Sequence, residues 1–175
     1  MSQQNNSSKL NMELKKEIKK NIIFLLIISL IFYIDRATKN IVVKFLLERN
    51  SSYYVNDYLN LDLVWNSGIG FGLLSFDSSV FYHTVTAIIS IVIFVLIYLF
   101  YKSKTYEKIF YSSIIGGAIG NIYDRLIYYS VPDFVDLHFA NFHLFTFNVA
   151  DIFISVGVIG LILNELLKKK DKDNV

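Results

Sequence analysis

Asp133 and Asp151 stand on either side of the start of the chain's last long apolar segment. A carboxylate at a lipid boundary is expensive and marks function by default. Two of them converging on one end of a helical bundle could do paired acid–base work. One carboxyl would be held protonated beside an ionised neighbour. The plain alternative is that these are helix N-terminal caps. Which reading holds depends on the elements that carry them.

Those elements belong to a membrane. Of 175 residues, 54% are hydrophobic and 16% aromatic, and the mean hydropathy is +0.44. That is too apolar for a soluble domain of this length. Cysteine is absent, which excludes disulfides, thiolate nucleophiles, Cys-based metal sites and a lipid carried on an N-terminal cysteine of the chain itself. Apolar segments run over about 21–43, 80–101, 109–129 and 147–167. Each is about 20 residues, the length of a helix crossing ~30 Å of hydrocarbon. The expected fold is an α-helical polytopic membrane protein with four transmembrane helices and a small extracytoplasmic β-containing loop region.

The expected organisation is a polar cytoplasmic tail at 1–20, a single four-span domain at 21–167, and a basic cytoplasmic tail at 168–175. The first segment is too long for a cleaved signal peptide and runs into Asp35-Arg36 rather than a small-residue cleavage site. Lys9, Lys15, Lys16, Lys19 and Lys20 precede the first span, Lys102, Lys104 and Lys108 lie between the second and third, and Lys168, Lys169, Lys170 and Lys172 follow the fourth. The loops at about 44–79 and 130–146 hold only Lys44 and Arg49. The positive-inside rule then puts both termini in the cytoplasm and those two loops outside. The formal net charge of +2 decides nothing by itself.

On that topology the polar residues gather near the outer face. Asp35, Arg36 and Lys39 lie in the outer half of the first span, and Asn121, Asp124 and Arg125 in that of the third. Asn148 and Asp151 fall in the first turn of the fourth, three residues apart on one face. Asp35 and Lys39 are an i, i+4 pair whose first reading is a structural ion pair. Asp124 beside Arg125 reads as an organiser. Gly116, Gly117 and Gly120, one turn deeper, read as a close helix-packing face.

In the first outer loop Leu59, Leu61, Leu63 and Trp65 alternate with Asn60, Asp62 and Val64. That period of two predicts an amphipathic strand, lying on the membrane surface or in a small sheet against the helices. The glycines at 68, 70 and 72 lack the strand–turn–helix setting of a nucleotide loop and are expected to form a flexible loop near the site. Asp136, His138 and His143 lack helical zinc spacing, so no metal is expected. His83 stands alone, and no serine is set in a triad pattern.

The motifs also carry a resemblance. Gly116-Gly117-Ala118-Ile119-Gly120-Asn121-Ile122-Tyr123-Asp124-Arg125 resembles the GGAxGNxxDR signature of bacterial lipoprotein signal peptidase (signal peptidase II). Val131-Pro132-Asp133-Phe134 is similar to that family's V-x-D-F element, and the run from Phe147 through Asn148 and Asp151 to Ile154 resembles its FNxADxxI element. Asp35-Arg36-Ala37-Thr38-Lys39 resembles its DxxTK motif, and Asn66-Ser67-Gly68-Ile69-Gly70-Phe71-Gly72 its NxGxAFG loop, with Gly70 in place of alanine. The ordered set covers 35–154 and is far more specific than any one motif. Pro132, the only proline, biases Val131 towards an extended shape, which suits a segment presenting Asp133.

The resemblance implies an intramembrane aspartyl endopeptidase that removes signal peptides from diacylglyceryl-modified prolipoproteins, just before the lipidated cysteine. It implies a dyad of Asp133 and Asp151, with Asn66, Asn121, Arg125 and Asn148 binding substrate or ordering the site. Asp35, Lys39, Asp124 and Gly117 would be structural support. No cofactor and no nucleic acid is expected, the partners being prolipoproteins and membrane lipids. A monomer in the bacterial cytoplasmic (inner) membrane, with the site near the outer face, suffices. The runner-up is a proton-coupled small transporter or channel, disfavoured by the four spans and the one-sided charges. A small scaffold protein would explain the spans but not the motifs.

Overall fold

A computed structural model describes residues 2–68, 78–139 and 142–173. Four helices alternate with two strand pairs: α1 (Ser2–Arg49), β1 (Tyr53–Asn56), β2 (Leu59–Asn66), α2 (Ser78–Lys102), α3 (Lys108–Tyr128), β3 (Val131–Phe139), β4 (Phe142–Phe147) and α4 (Val149–Asp173). The strands follow the C-termini of α1 and α3 and precede the N-termini of α2 and α4, so they all lie at one end of the helices. They form one antiparallel sheet in the order β1-β2-β3-β4.

Two expected boundaries move. The tail at 1–20, expected to be frayed or a short surface helix, is continuous with the helix of the first apolar segment, because no glycine or proline interrupts residues 2–49. The basic tail likewise continues α4 as far as Asp173. Residues 69–77, with Gly70 and Gly72 of the expected glycine loop, lie outside the described residues.

On length and composition, α2 and α4 can cross a membrane. Their outward faces are apolar: Ile88, Ile91 and Phe94 on α2, and Val156, Ile159 and Leu163 on α4, are all more than half exposed. Such a surface needs an apolar neighbour. The apolar stretches of α1 and α3 are broken by Asp35, Arg36, Lys39, Asp124 and Arg125, which are turned inward instead.

α3 is the central element and packs against α1, α2 and α4. Its glycines set the approach distances. A Cβ on Gly116 would lie 2.9 Å from the Ile31 side chain of α1, and one on Gly117 2.5 Å from the Ala150 carbonyl oxygen of α4. At the far end from the sheet, Phe24, Phe100 and Ile115 form the apolar core.

β2 occupies the predicted strand, but its alternation fails halfway. Leu61 pairs with Val135 and Val64 with Asp133, so β2 spends one residue more than β3 over that interval. The bulge reverses the faces beyond it. Trp65, expected on the same face as Leu61 and Leu63, is 45% exposed.

Candidate active site

Four elements bring the sequence-derived polar residues together. β3 carries Asp133, which is almost completely buried. α4 carries Asp151 three residues beyond Asn148, which is itself fully buried. α3 contributes Asn121 and Arg125, and the last residue of β2 is Asn66. Asn66, Asn121, Arg125, Asp133 and Asp151 line one cavity of about 250 Å³, floored by Ala118, Ile89 and Ile154.

Asn148 joins the two carboxyl groups. Its side-chain N–H donates to Asp133 Oδ1 at 2.6 Å, and its backbone N–H donates to Asp151 Oδ2 at 3.0 Å. Its side-chain oxygen in turn accepts from the Asp151 backbone N–H at 3.2 Å. Asn148 precedes α4, so this is a reciprocal helix cap rather than a pair within the first turn. The capping and acid–base readings of Asp151 are therefore compatible. Its Oδ2 closes the cap, while its Oδ1 accepts from Asn121 Nδ2 at 2.8 Å.

Asp133 is held by two amides. Asn66 Nδ2 donates to Oδ2 at 2.9 Å, opposite the Asn148 bond. Burial is the largest influence on this carboxyl and pushes its pKa up. The two amide donors and the Lys39 charge pull the other way, and the Asp151 charge adds to the rise. The net direction is up, so Asp133 holds a proton more readily than a free aspartate.

Behind the cavity lies a closed cluster of charge. Lys39 Nζ reaches Asp35 at 2.9 Å and Asp124 at 2.7 Å. Arg36 reaches Asp124 at 2.5 Å and Asp35 at 3.2 Å. Asp35 Oδ1 accepts from the Ala150 N–H at 3.2 Å, tying α1 to the first turn of α4. A Cβ on Gly120 would strike the Asp35 carboxylate. Asp35, Lys39 and Asp124 thus stand outside the cavity and two acids balance two bases. Arg36, which the sequence reading left without a role, completes that balance. An acid 88 positions away is not a pattern local spacing reveals.

Arg125 does not join this cluster, though it adjoins Asp124. Its guanidinium lies over the Tyr82 ring at 5.5 Å and donates to the Ser67 carbonyl at 3.4 Å. Gly68 follows with φ +84°, and a Cβ there would lie 3.0 Å from Arg125 Nη2. Tyr82 was missed: its hydroxyl donates to the Arg125 carbonyl, one of the last-turn carbonyls of α3 left without a helical partner. In an aromatic-rich chain such a tyrosine reads as an ordinary interface residue. Tyr82→Phe is expected to lower stability by about 1 kcal/mol and the activity of the site only a few-fold, since the ring under Arg125 remains. Tyr82→Ala removes ring and bond and should lower that activity roughly tenfold more. Thermal unfolding and initial rates measured on the same preparations check both.

Two roomier grooves carry less chemistry. One of about 460 Å³ lies at the basic end, where Glu107 is taken up by Lys168 and Asn164. One of about 390 Å³ runs between α1 and the sheet, where Asp124 is taken up by Arg36 and Lys39. His143 Nδ1 lies 3.0 Å from Asp136 at the far end of β3, and that contact raises the His143 pKa. Of these three, among the described residues, the 250 Å³ cavity is the one that brings together two carboxyl groups that hold no cation.

The pattern of the signal peptidase (SPase) II family matches residues 27–167. The lipoprotein signal peptidase of Pelagibacter ubique is 45% identical over 161 residues, covering 91% of this chain and 97% of that protein. That of Thermodesulfovibrio yellowstonii is 42% identical over 141 residues, covering 81% and 92%. Among solved structures, a bacterial membrane enzyme determined by the in meso method at 1.9 Å resolution superposes with a TM-score of 0.69 at 28% identity, over 82% of this chain and 92% of that one. Another, at 2.3 Å, gives 0.64 at 29% identity, over 86% and 90%. Five ordered motifs, a shared fold and full-length relatives agree: the chain belongs to the signal peptidase II family of bacterial membrane proteases.

Proposed function

We propose that this protein is an aspartic endopeptidase that cuts the signal peptide from diacylglyceryl-modified prolipoproteins, before the lipidated cysteine, using water activated by Asp133 and Asp151. The observation that carries this reading is the Asn148 bridge, which holds both carboxyl groups on one small cavity. All four helices are read as spans, so 21–167 is one membrane domain and both termini are cytoplasmic. The lysines at the end away from the sheet support this orientation. The cavity then opens near the outer face, where a lipid-anchored substrate would present its scissile bond.

The chemistry follows from one shared proton. Two close carboxyl groups in a poorly solvated site cannot both ionise easily. The ionised one takes a proton from water as its oxygen attacks the scissile carbonyl carbon. The protonated one donates to the carbonyl oxygen. As the tetrahedral intermediate collapses, the first carboxyl returns its proton to the leaving nitrogen and the C–N bond breaks. Asn66, Asn121 and Asn148 hold the carboxyl groups through this exchange, and Arg125 holds Ser67 just beyond Asn66. No metal or cofactor enters these steps.

The transporter reading gains nothing from this arrangement, since Asp35, Arg36, Lys39 and Asp124 close on one another. The deciding experiment uses purified, detergent-solubilised protein with a diacylglyceryl-modified prolipoprotein and its unlipidated form. Cleavage of the lipidated form alone is expected. A folded protein that cuts neither, but carries net proton or solute flux in proteoliposomes, overturns the proposal.

A further inference from the structure

We infer that Lys39 is a positioning residue: through the Asn121 amide it holds Asp151 as the ionised member of the pair and leaves the shared proton to Asp133. This rests on the aspartic-peptidase reading above. It gives a residue outside the cavity an influence on the reaction that ion pairing alone would not.

The orientation of each asparagine is fixed by a second partner. Asn66 Oδ1 accepts from the Gly68 N–H at 2.8 Å, so its NH₂ faces Asp133. Asn148 Oδ1 accepts from the Asp151 N–H, so its NH₂ also faces Asp133. Asn121 Oδ1 accepts from Lys39 Nζ at 2.8 Å, so its NH₂ faces Asp151. The first two anchors are backbone groups. The third is a cation from a different helix.

That difference has two consequences. An ammonium on the amide oxygen polarises the amide and strengthens its N–H as a donor. It also forbids the flipped amide, which would set an NH₂ against an NH₃⁺. Without Lys39 the Asn121 amide is free to turn its oxygen towards Asp151. An oxygen there accepts from a protonated carboxyl and repels an ionised one. The chain Lys39 → Asn121 → Asp151 therefore selects the charge state of Asp151.

The other groups facing Asp151 do not replace this control. α4 itself supplies the Asn148 backbone N–H and a helix N-terminus, which favour ionisation. β3 supplies Asp133, whose charge opposes it. α3 supplies Arg125 on the same cavity wall, and α2 only the apolar Ile89. α1 supplies Lys39, whose charge also reaches Asp133 and by itself would favour ionisation there. The preference of Lys39 for Asp151 is therefore carried by the Asn121 bond, and Asp35 of α1 is bound to the neighbouring Ala150 N–H. Arg36 touches Asp35 and Asp124 but not Asn121, so among the described residues Lys39 alone links the charge cluster to the dyad.

The test is the pH dependence of kcat and KM for the lipidated prolipoprotein, with wild type, Lys39→Met, Asn121→Leu and the double variant. Each single change is expected to lower kcat roughly tenfold, leave KM within about twofold, and move the acidic limb of the kcat profile up by about one pH unit. The double variant should shift no further than either single one, because both break the same chain. Lys39→Met leaves two buried acids to Arg36 alone. If it does not fold, Asn121→Leu carries the test, since it leaves the ion cluster intact. A wild-type acidic limb in a folded Asn121→Leu, or in a folded but less stable Lys39→Met, overturns the inference and makes Lys39 purely structural. Asp133→Asn and Asp151→Asn in the same series guard the underlying reading. If either cuts at the wild-type rate, the dyad itself fails, whatever the limbs show.

Discussion

Asp133→Asn and Asp151→Asn are each expected to slow cleavage at least about a thousandfold, the scale set by loss of general acid–base catalysis. Both proteins should remain folded, and their stabilities should respond differently to pH. Asp133 is buried in β3 with its pKa raised above the ordinary aspartate value. In the window between those two values, the folded state binds more protons than the unfolded one. Its contribution to stability therefore falls as pH rises through that window. An asparagine carries no charge, but its NH₂ must face one of the two amide donors, so Asp133→Asn loses one hydrogen bond while its stability relative to wild type should rise from acidic to neutral pH. Asp151 is half-buried and sits in the first turn of α4, where a negative charge is favoured. Asp151→Asn should lose roughly 0.5–1 kcal/mol instead. Thermal unfolding at two pH values, beside the cleavage assay, separates lost chemistry from lost fold. An Asp133→Asn that stays folded and cuts at the wild-type rate would remove Asp133 from the chemistry.

This contrast between two aspartates was only partly legible in the linear chain. Their placement was readable, because apolar runs of spanning length fix where helices begin and a lone proline marks extended backbone before Asp133. Spacing likewise put Asn148 and Asp151 together at the start of α4, and alternation located β2. What local pattern cannot carry is pairing across distance. Arg36 finds Asp124 only because α1 and α3 pack side by side at Gly116 and Gly120. The bulge between Leu61 and Val64 reverses the Trp65 face without any glycine to announce it. Tyr82 acts through a carbonyl, a group every residue has. The unbroken length of α1 was obscured because a polar, lysine-rich opening resembles a frayed tail until the absence of a helix breaker is given weight.

Gly117→Ala is expected to damage both fold and activity, although Gly117 carries no functional group. The added Cβ would lie 2.5 Å from the Ala150 carbonyl oxygen and 2.9 Å from Ile154 Cγ1. The first of these is backbone, which cannot swing aside as a side-chain end can. α4 must therefore shift away from α3 at its first turn, the turn that carries Asp151. Asn121 stands one helical turn beyond Gly117 on α3, and its 2.8 Å bond to Asp151 spans the same gap. Overpacking of this kind costs about 2–3 kcal/mol. A displacement near 1 Å of a catalytic group lowers the rate roughly a hundredfold. The two effects should be separable by adding room on the other side. Ile154→Ala in the Gly117→Ala background removes the γ carbons, and with them the side-chain clash but not the backbone one, so stability should recover in part while kcat stays low. A Gly117→Ala protein with wild-type kcat and only a lower unfolding temperature would mean that the α3–α4 spacing holds the bundle together without setting the position of Asp151.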